Sequence, residues 1–124
     1  MVVLDERSAR LTRSLCELIV PGSGRVAPEV YVDALLARMP EPNRSGALAA
    51  IDALGPAAQG GADALAEHEL SPEFQLMRAL ACEAFYSDFV APGAPGPGAW
   101  EEIDFRPPQA ARLHKDWSYL GVSE

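Results

Sequence analysis

Apolar residues in the first ninety positions recur at helical spacing in five separated runs, and beyond Val90 that period stops. Leu4, Leu11, Leu15, Leu18 and Ile19 make the first stripe, with Arg7, Arg10, Arg13 and Glu17 on or near the opposite side. Asp5 and Glu6 stand at its start, where the helix dipole favours negative charge, and the helix should end before Pro21-Gly22. A second helix opens with Pro28 in its first turn and carries Val30, Tyr31, Ala34 and Leu35 to Arg38, stopping before Pro40. Asn43 is the expected N-cap of a third helix bearing Leu48, Ile51 and Leu54, closed by Gly55-Pro56. Gln59-Gly60-Gly61 reads as a flexible joint before a weaker helical stretch, Ala62 to Glu69, that contributes Leu65. Ser71-Pro72-Glu73 combines cap, first-turn proline and early acid, and it predicts the longest helix. Phe74, Met77, Ala81, Ala84, Phe85 and Phe89 share one broad face of it, with Glu73, Arg78 and Glu83 elsewhere.

No alternating run is long enough for a sheet, so the expected fold is all-α: a small irregular helical domain over 1–90 and a C-terminal arm over 91–124 that wraps the same domain. The arm is extended, with one expected turn of helix around Ala110 to His114. Three prolines and three glycines crowd Pro92 to Gly98, yet the forty residues from Phe85 to Glu124 hold seven of the nine aromatic residues. A disordered tail is normally poor in such rings, so this segment orders by lying on a surface. Self-packing on the domain accounts for part of it. Burial of the rings alone falls short of the entropy of ordering so long a segment, which favours a second polypeptide as the rest of the surface. Phe89, Trp100, Phe105, Trp117 and Tyr119 are the candidate partner-binding residues, because large aromatics are favoured interface anchors.

At 124 residues the chain is one domain with room for a modest core. A hydrophobic content of 48% argues against global disorder, while eleven Pro and ten Gly exceed what tight helical loops require and point to irregular connecting segments. Eighteen acids against ten bases give a net charge of −8, which excludes nucleic acid or an anionic membrane as a partner through a general basic surface. The N-terminus lacks the basic start and apolar run of a secretory signal, and no stretch approaches a membrane span, so the expected location is the cytoplasm. Cys16 and Cys82 are isolated thiols without a Cys-x-x-Cys pair, expected to be reduced and buried.

The residues offer little independent chemistry. Zinc requires about four ligands with local pairs, whereas His68, His114, Cys16 and Cys82 are four single residues, and neighbours in Glu67-His68-Glu69 point to different sides of a helix. Solvated charge on a short helix is the plainer reading. His114 with Asp116 is the one local pair suited to activating a nucleophile, but Arg112 and Lys115 beside it suggest an exposed ionic cluster. Pro21-Gly-Ser-Gly24-Arg25 lacks the Gly-Lys-Ser/Thr ending and the preceding strand of a phosphate loop, and a helix connection explains it equally well. No catalytic, cofactor-binding or metal-binding residue is assigned.

Several landmarks in order carry a resemblance. Leu15-Cys-Glu-Leu-Ile-Val-Pro-Gly22 is a helix running into a Pro-Gly turn, and Val30-Tyr-Val-Asp-Ala-Leu-Leu36 follows as a second helix. Phe85-Tyr-Ser-Asp-Phe89 is then succeeded by a Gly-Pro loop and Gly98-Ala-Trp100-Glu-Glu-Ile103-Asp-Phe105. Over about Leu4 to Phe105 this order resembles the small subunit (subunit 3) of gluconate 2-dehydrogenase and related flavoprotein sugar dehydrogenases. The resemblance implies a non-catalytic helical subunit that binds and stabilises a large subunit of the glucose-methanol-choline oxidoreductase type. That partner would hold the FAD and the active-site histidine and oxidise a sugar or glycoside hydroxyl. The chain departs from the family in lacking its twin-arginine export signal and in a Pro-rich loop where relatives carry Gly-Gly-Asn, and its Trp117-Ser-Tyr119 ending lies outside the pattern. The alternative expectation is a stand-alone helical adaptor that uses the same arm to bind an unrelated protein.

Overall fold

The computed structural model describes residues 1–102, and among them it is all-α with no strand. Six helices are present: α1 Glu6–Ile19, α2 Pro28–Arg38, α3 Glu41–Gln59, α4 Ala62–Ala66, α5 Pro72–Tyr86 and α6 Ala99–Glu102, with a 3-10 turn over Ser23–Val26 between the first two. Each of the four long helices, α1, α2, α3 and α5, touches the other three, while α4 leans on α3 and α6 on α5. Their shared core is Leu15 and Cys16 from α1, Val32 and Leu36 from α2, Ile51 and Leu54 from α3, and Met77, Leu80, Ala81, Ala84 and Phe85 from α5.

The helix starts follow local chemistry. Asp5 is extended and its side chain accepts the Ser8 N–H at 2.7 Å, satisfying one of the orphan donors of α1. Ser71 does the same for α5, accepting the Phe74 N–H at 3.1 Å ahead of Pro72. At the α2–α3 junction Arg44 caps the end of α2. Its Nε donates to the Leu36 carbonyl and one terminal nitrogen to the Met39 carbonyl, each at 3.0 Å.

Five expectations need correction. The third helix begins at Glu41 behind Pro40, with Asn43 exposed inside it. It also runs through Gly55-Pro56 to Gln59, and at 19 residues it outruns the 15 of α5. Proline removes one backbone hydrogen bond and crowds the residue before it. Gly55 has no Cβ to clash with the proline ring, and the lost bond falls on the Asp52 carbonyl, in an exposed residue. Gly55 faces α1, where an added Cβ would meet Leu11 Cδ1 at 3.4 Å, an ordinary contact. The apolar stripe of α2 is rotated from the expected one: Val32 and Leu36 are buried, Val30, Tyr31 and Leu35 are half-buried, and Ala34 is exposed. Two acids on the buried face, Glu29 and Asp33, masked its register. Finally, α5 ends at Tyr86, and Asp88 turns the chain with a φ of 64°, so Phe89 stands beyond the helix.

Candidate functional site

Among the described residues the candidate catalytic groups do not converge. Cys16 is fully buried, and burial with the nearby Glu29 and Cys82 pushes its thiol up to about 12, which leaves it protonated and inert at neutral pH. Cys82 is half-buried, against the expectation of a buried thiol, and both cysteines are free. His68 lies exposed between exposed Glu67 and Glu69 in the turn after α4. Among the described residues no group of three or more His, Cys, Asp or Glu is placed to hold a metal ion. His114 and Asp116 lie outside the described residues.

The Pro21–Arg25 segment is filled by an acid of the protein itself. Glu17 reaches over from α1 and accepts the N–H of Gly22 and, at 3.3 Å, that of Gly24. Backbone donors that would cradle a phosphate therefore face a carboxylate. Arg13, one turn earlier on α1, braces the same turn by donating to the Gly24 carbonyl at 3.0 Å.

Two buried acids on α2 were not singled out from the sequence. Asp33, 5% exposed, accepts the backbone N–H groups of Val2, Val3 and Leu4 at 2.9, 2.8 and 2.7 Å. Burial pushes its carboxyl up, but the donors from Leu4, Val2 and Val3, together with the amino terminus, outweigh burial and hold it below its ordinary value. Glu29 lies 3.5 Å from the Arg13 guanidinium through Oε1, while its buried Oε2 has no hydrogen-bond partner among the described residues. Their spacing of four residues put both on the Val32–Leu36 side, a polar pair within the apolar stripe that was the available signal.

Among the described residues, every aromatic but Phe74 lies toward the C-terminal end of α5. Phe89 sits edge-on to Tyr31 with ring centroids 5.4 Å apart, and the Tyr31 hydroxyl donates to Glu83 at 3.0 Å. Burial and that carboxylate push the Tyr31 hydroxyl up from its ordinary value. Trp100 is half-buried against the core, its backbone N–H donated to Asp88 Oδ1 at 3.2 Å and its indole N–H to the Tyr86 carbonyl at 3.3 Å. Between them the Pro/Gly loop folds back on the domain. Ala91 N–H donates to the Val26 carbonyl, Gly96 N–H to the Arg25 carbonyl, and Arg25 Nε to the Pro97 carbonyl at 2.8 Å. The Arg25 guanidinium also lies over the Phe85 ring at 5.1 Å.

Of the five candidate partner-binding residues, then, Phe89 and Trp100 fall in one cluster, and Phe105, Trp117 and Tyr119 lie outside the described residues. The cluster also contains a ring not singled out earlier, Tyr86, which is 58% exposed, beside Val90 at 38%. The chain matches no protein-family model, no curated protein and no solved structure. Among the described residues, no helix is long and apolar enough to cross a membrane.

Proposed function

We propose that this chain is a non-catalytic small subunit of a cytoplasmic heteromeric oxidoreductase, binding and stabilising a large FAD-containing subunit of the glucose-methanol-choline type that oxidises a sugar or glycoside hydroxyl. The observation that carries the reading is the order of the sequence landmarks, which fall on distinct elements of the fold. Leu15–Gly22 runs from the end of α1 into its turn, Val30–Leu36 lies within α2, Phe85–Phe89 closes α5, and the Gly98-Ala-Trp100 segment opens α6. The aromatic cluster supports it as well, since it joins large rings to exposed apolar surface where interface anchors are expected. Cofactor and substrate chemistry belong to the partner in this reading.

Expressing the large flavoprotein with and without this chain tests it. Higher soluble yield, FAD content and turnover are expected in the presence of the chain, and equal values in both cases would remove the reading. Within the complex, Trp100→Ala should weaken assembly by about 2 to 4 kcal/mol. Normal co-purification of that variant would restrict the ring to internal packing.

A further inference from the structure

We infer that the cleft between α1 and the end of α3 binds a small phosphate monoester, held by Arg7 and Arg10 with Ser14 and Gln59. The site is separate from the aromatic turn and stands whether or not the chain has a larger partner.

Arg7, Arg10 and Ser14 follow one another at intervals of three and four residues, so they share one side of α1. That side borders a cleft of about 230 Å³, to which α3 contributes Gly55, Pro56 and Gln59. Four of the seven lining residues can donate hydrogen bonds through their side chains, and none is a carboxylate. In a chain with eighteen acids against ten bases, this is a local reversal of sign. The Pro21–Arg25 turn is different, because there Glu17 already occupies the backbone donors. The last carbonyls of α3 do not compete for the lining donors either: Pro56 and Ala57 accept the Gly60 N–H, and Ala58 accepts that of Gly61.

Two acids lie beside the cleft without lining it. Asp52 pairs with Arg7 at 2.8 Å and Glu6 lies 3.7 Å from Arg10, with all four side chains mostly exposed. Exposed pairs of this kind contribute little, so an anion carrying two charges displaces them at small cost. The donor set favours phosphate over carboxylate. Two guanidinium forks, a hydroxyl and an amide exceed what two carboxylate oxygens accept, whereas a phosphate monoester brings close to two negative charges and three terminal oxygens. Arginine suits that group because its planar fork meets two oxygens at once. Half-buried Leu11 and buried Gly55 give the cleft an apolar floor on which the ester group can rest. The net charge of −8 disfavours a polyanion, which limits the ligand to a small molecule.

Titration calorimetry of the full chain with phenyl phosphate at physiological salt tests this. Saturable binding is expected, with inorganic phosphate competing for the same site. Arg10→Gln should weaken it by about tenfold. Arg78→Gln removes the same charge from an exposed position on α5 and should leave the affinity unchanged. Asp52→Asn should tighten binding several-fold, because Arg7 loses its competing carboxylate. All three positions are exposed, so the variants keep the fold. Absence of saturable binding to the wild type would overturn the inference. Equal weakening by Arg10→Gln and Arg78→Gln would do the same, by showing that the attraction is diffuse, and so would an Asp52→Asn variant of unchanged affinity, which would leave Arg7 outside the site.

Discussion

Both ends of the described chain are fastened to the helical body through an aspartate, but the two clasps differ in kind. Asp33 is buried and collects three consecutive backbone N–H groups, from Val2, Val3 and Leu4. Asp88 is half-buried, stands at a φ of 64°, and takes the Trp100 N–H at 3.2 Å. A carboxylate with three donors in low dielectric holds its segment tightly, whereas one longer bond near water adds little. The left-handed conformation at Asp88 also carries strain that the surrounding loop must offset. The N-terminal strap thus hangs on one buried carboxylate, whereas the aromatic turn is held by several separate contacts: the Asp88 bond, the Trp100 indole bond to the Tyr86 carbonyl, and the loop bonds to Val26 and Arg25.

The sharpest way to break the contrast is to remove the stronger clasp. Asp33→Ala strands three N–H groups and should cost about 1.5 to 3 kcal/mol of folding stability, read from urea unfolding at neutral pH. Tyr86→Ala, which removes a mostly exposed ring that meets Phe85 edge-on, should cost less, about 0.5 kcal/mol by the same measurement. A reversed order of these two losses would show that the C-terminal turn, not the N-terminal strap, belongs to the cooperative body.

Acid sharpens the same point with a smaller effect. The Asp33 carboxyl is held below its ordinary value of 3.8 in the folded chain. Its contribution is therefore fully present above that value and is lost as pH falls through the lowered one. The stability gap between the wild type and Asp33→Asn should be constant from neutral pH down to about pH 5, then narrow toward about pH 3. A gap that stays constant throughout would mean that the three donors do not favour the ionised form.

The sequence makes the body legible and the aromatic turn much less so, for a physical reason. Asp5 and Ser71 cap their helices through neighbours three residues on, so those starts are written locally. The passage of α3 through Pro56 rests on Gly55 having no Cβ to meet the proline ring and on the freed Asp52 carbonyl lying in an exposed residue, and a rule that reads Gly-Pro as a stop weighs neither. The register of α2 was hidden because Asp33 and Glu29 occupy core-facing positions for tertiary reasons, one to hold the N-terminal strap and one to meet Arg13. Likewise the Ala91–Gly98 loop is held by the Val26 and Arg25 carbonyls, far away in sequence. Aromatic content alone marked Phe89 and Trp100 as candidates, but not Tyr86, whose 58% exposure is a property of the folded chain.

The weaker clasp has its own probe. At Gly98 an added Cβ would lie 2.5 Å from Asp88 Oδ1 and 3.2 Å from Val90 Cγ2, so Gly98→Ala must push the carboxylate off the Trp100 N–H. Because Asp88 is half-exposed and can give way, the cost should be on the order of 1 kcal/mol. Gly93→Ala is the matched control: it strains a backbone at φ 84° with nothing within 4 Å of the new Cβ, so it taxes the loop without touching the clasp. Both variants should fold with similar midpoints. Amide exchange at Trp100 should then accelerate in Gly98→Ala and not in Gly93→Ala, because only the first displaces the acceptor. Equal exchange in the two would mean that Asp88 does not hold the turn, and that the Trp100 indole bond to the Tyr86 carbonyl is enough to keep it in place.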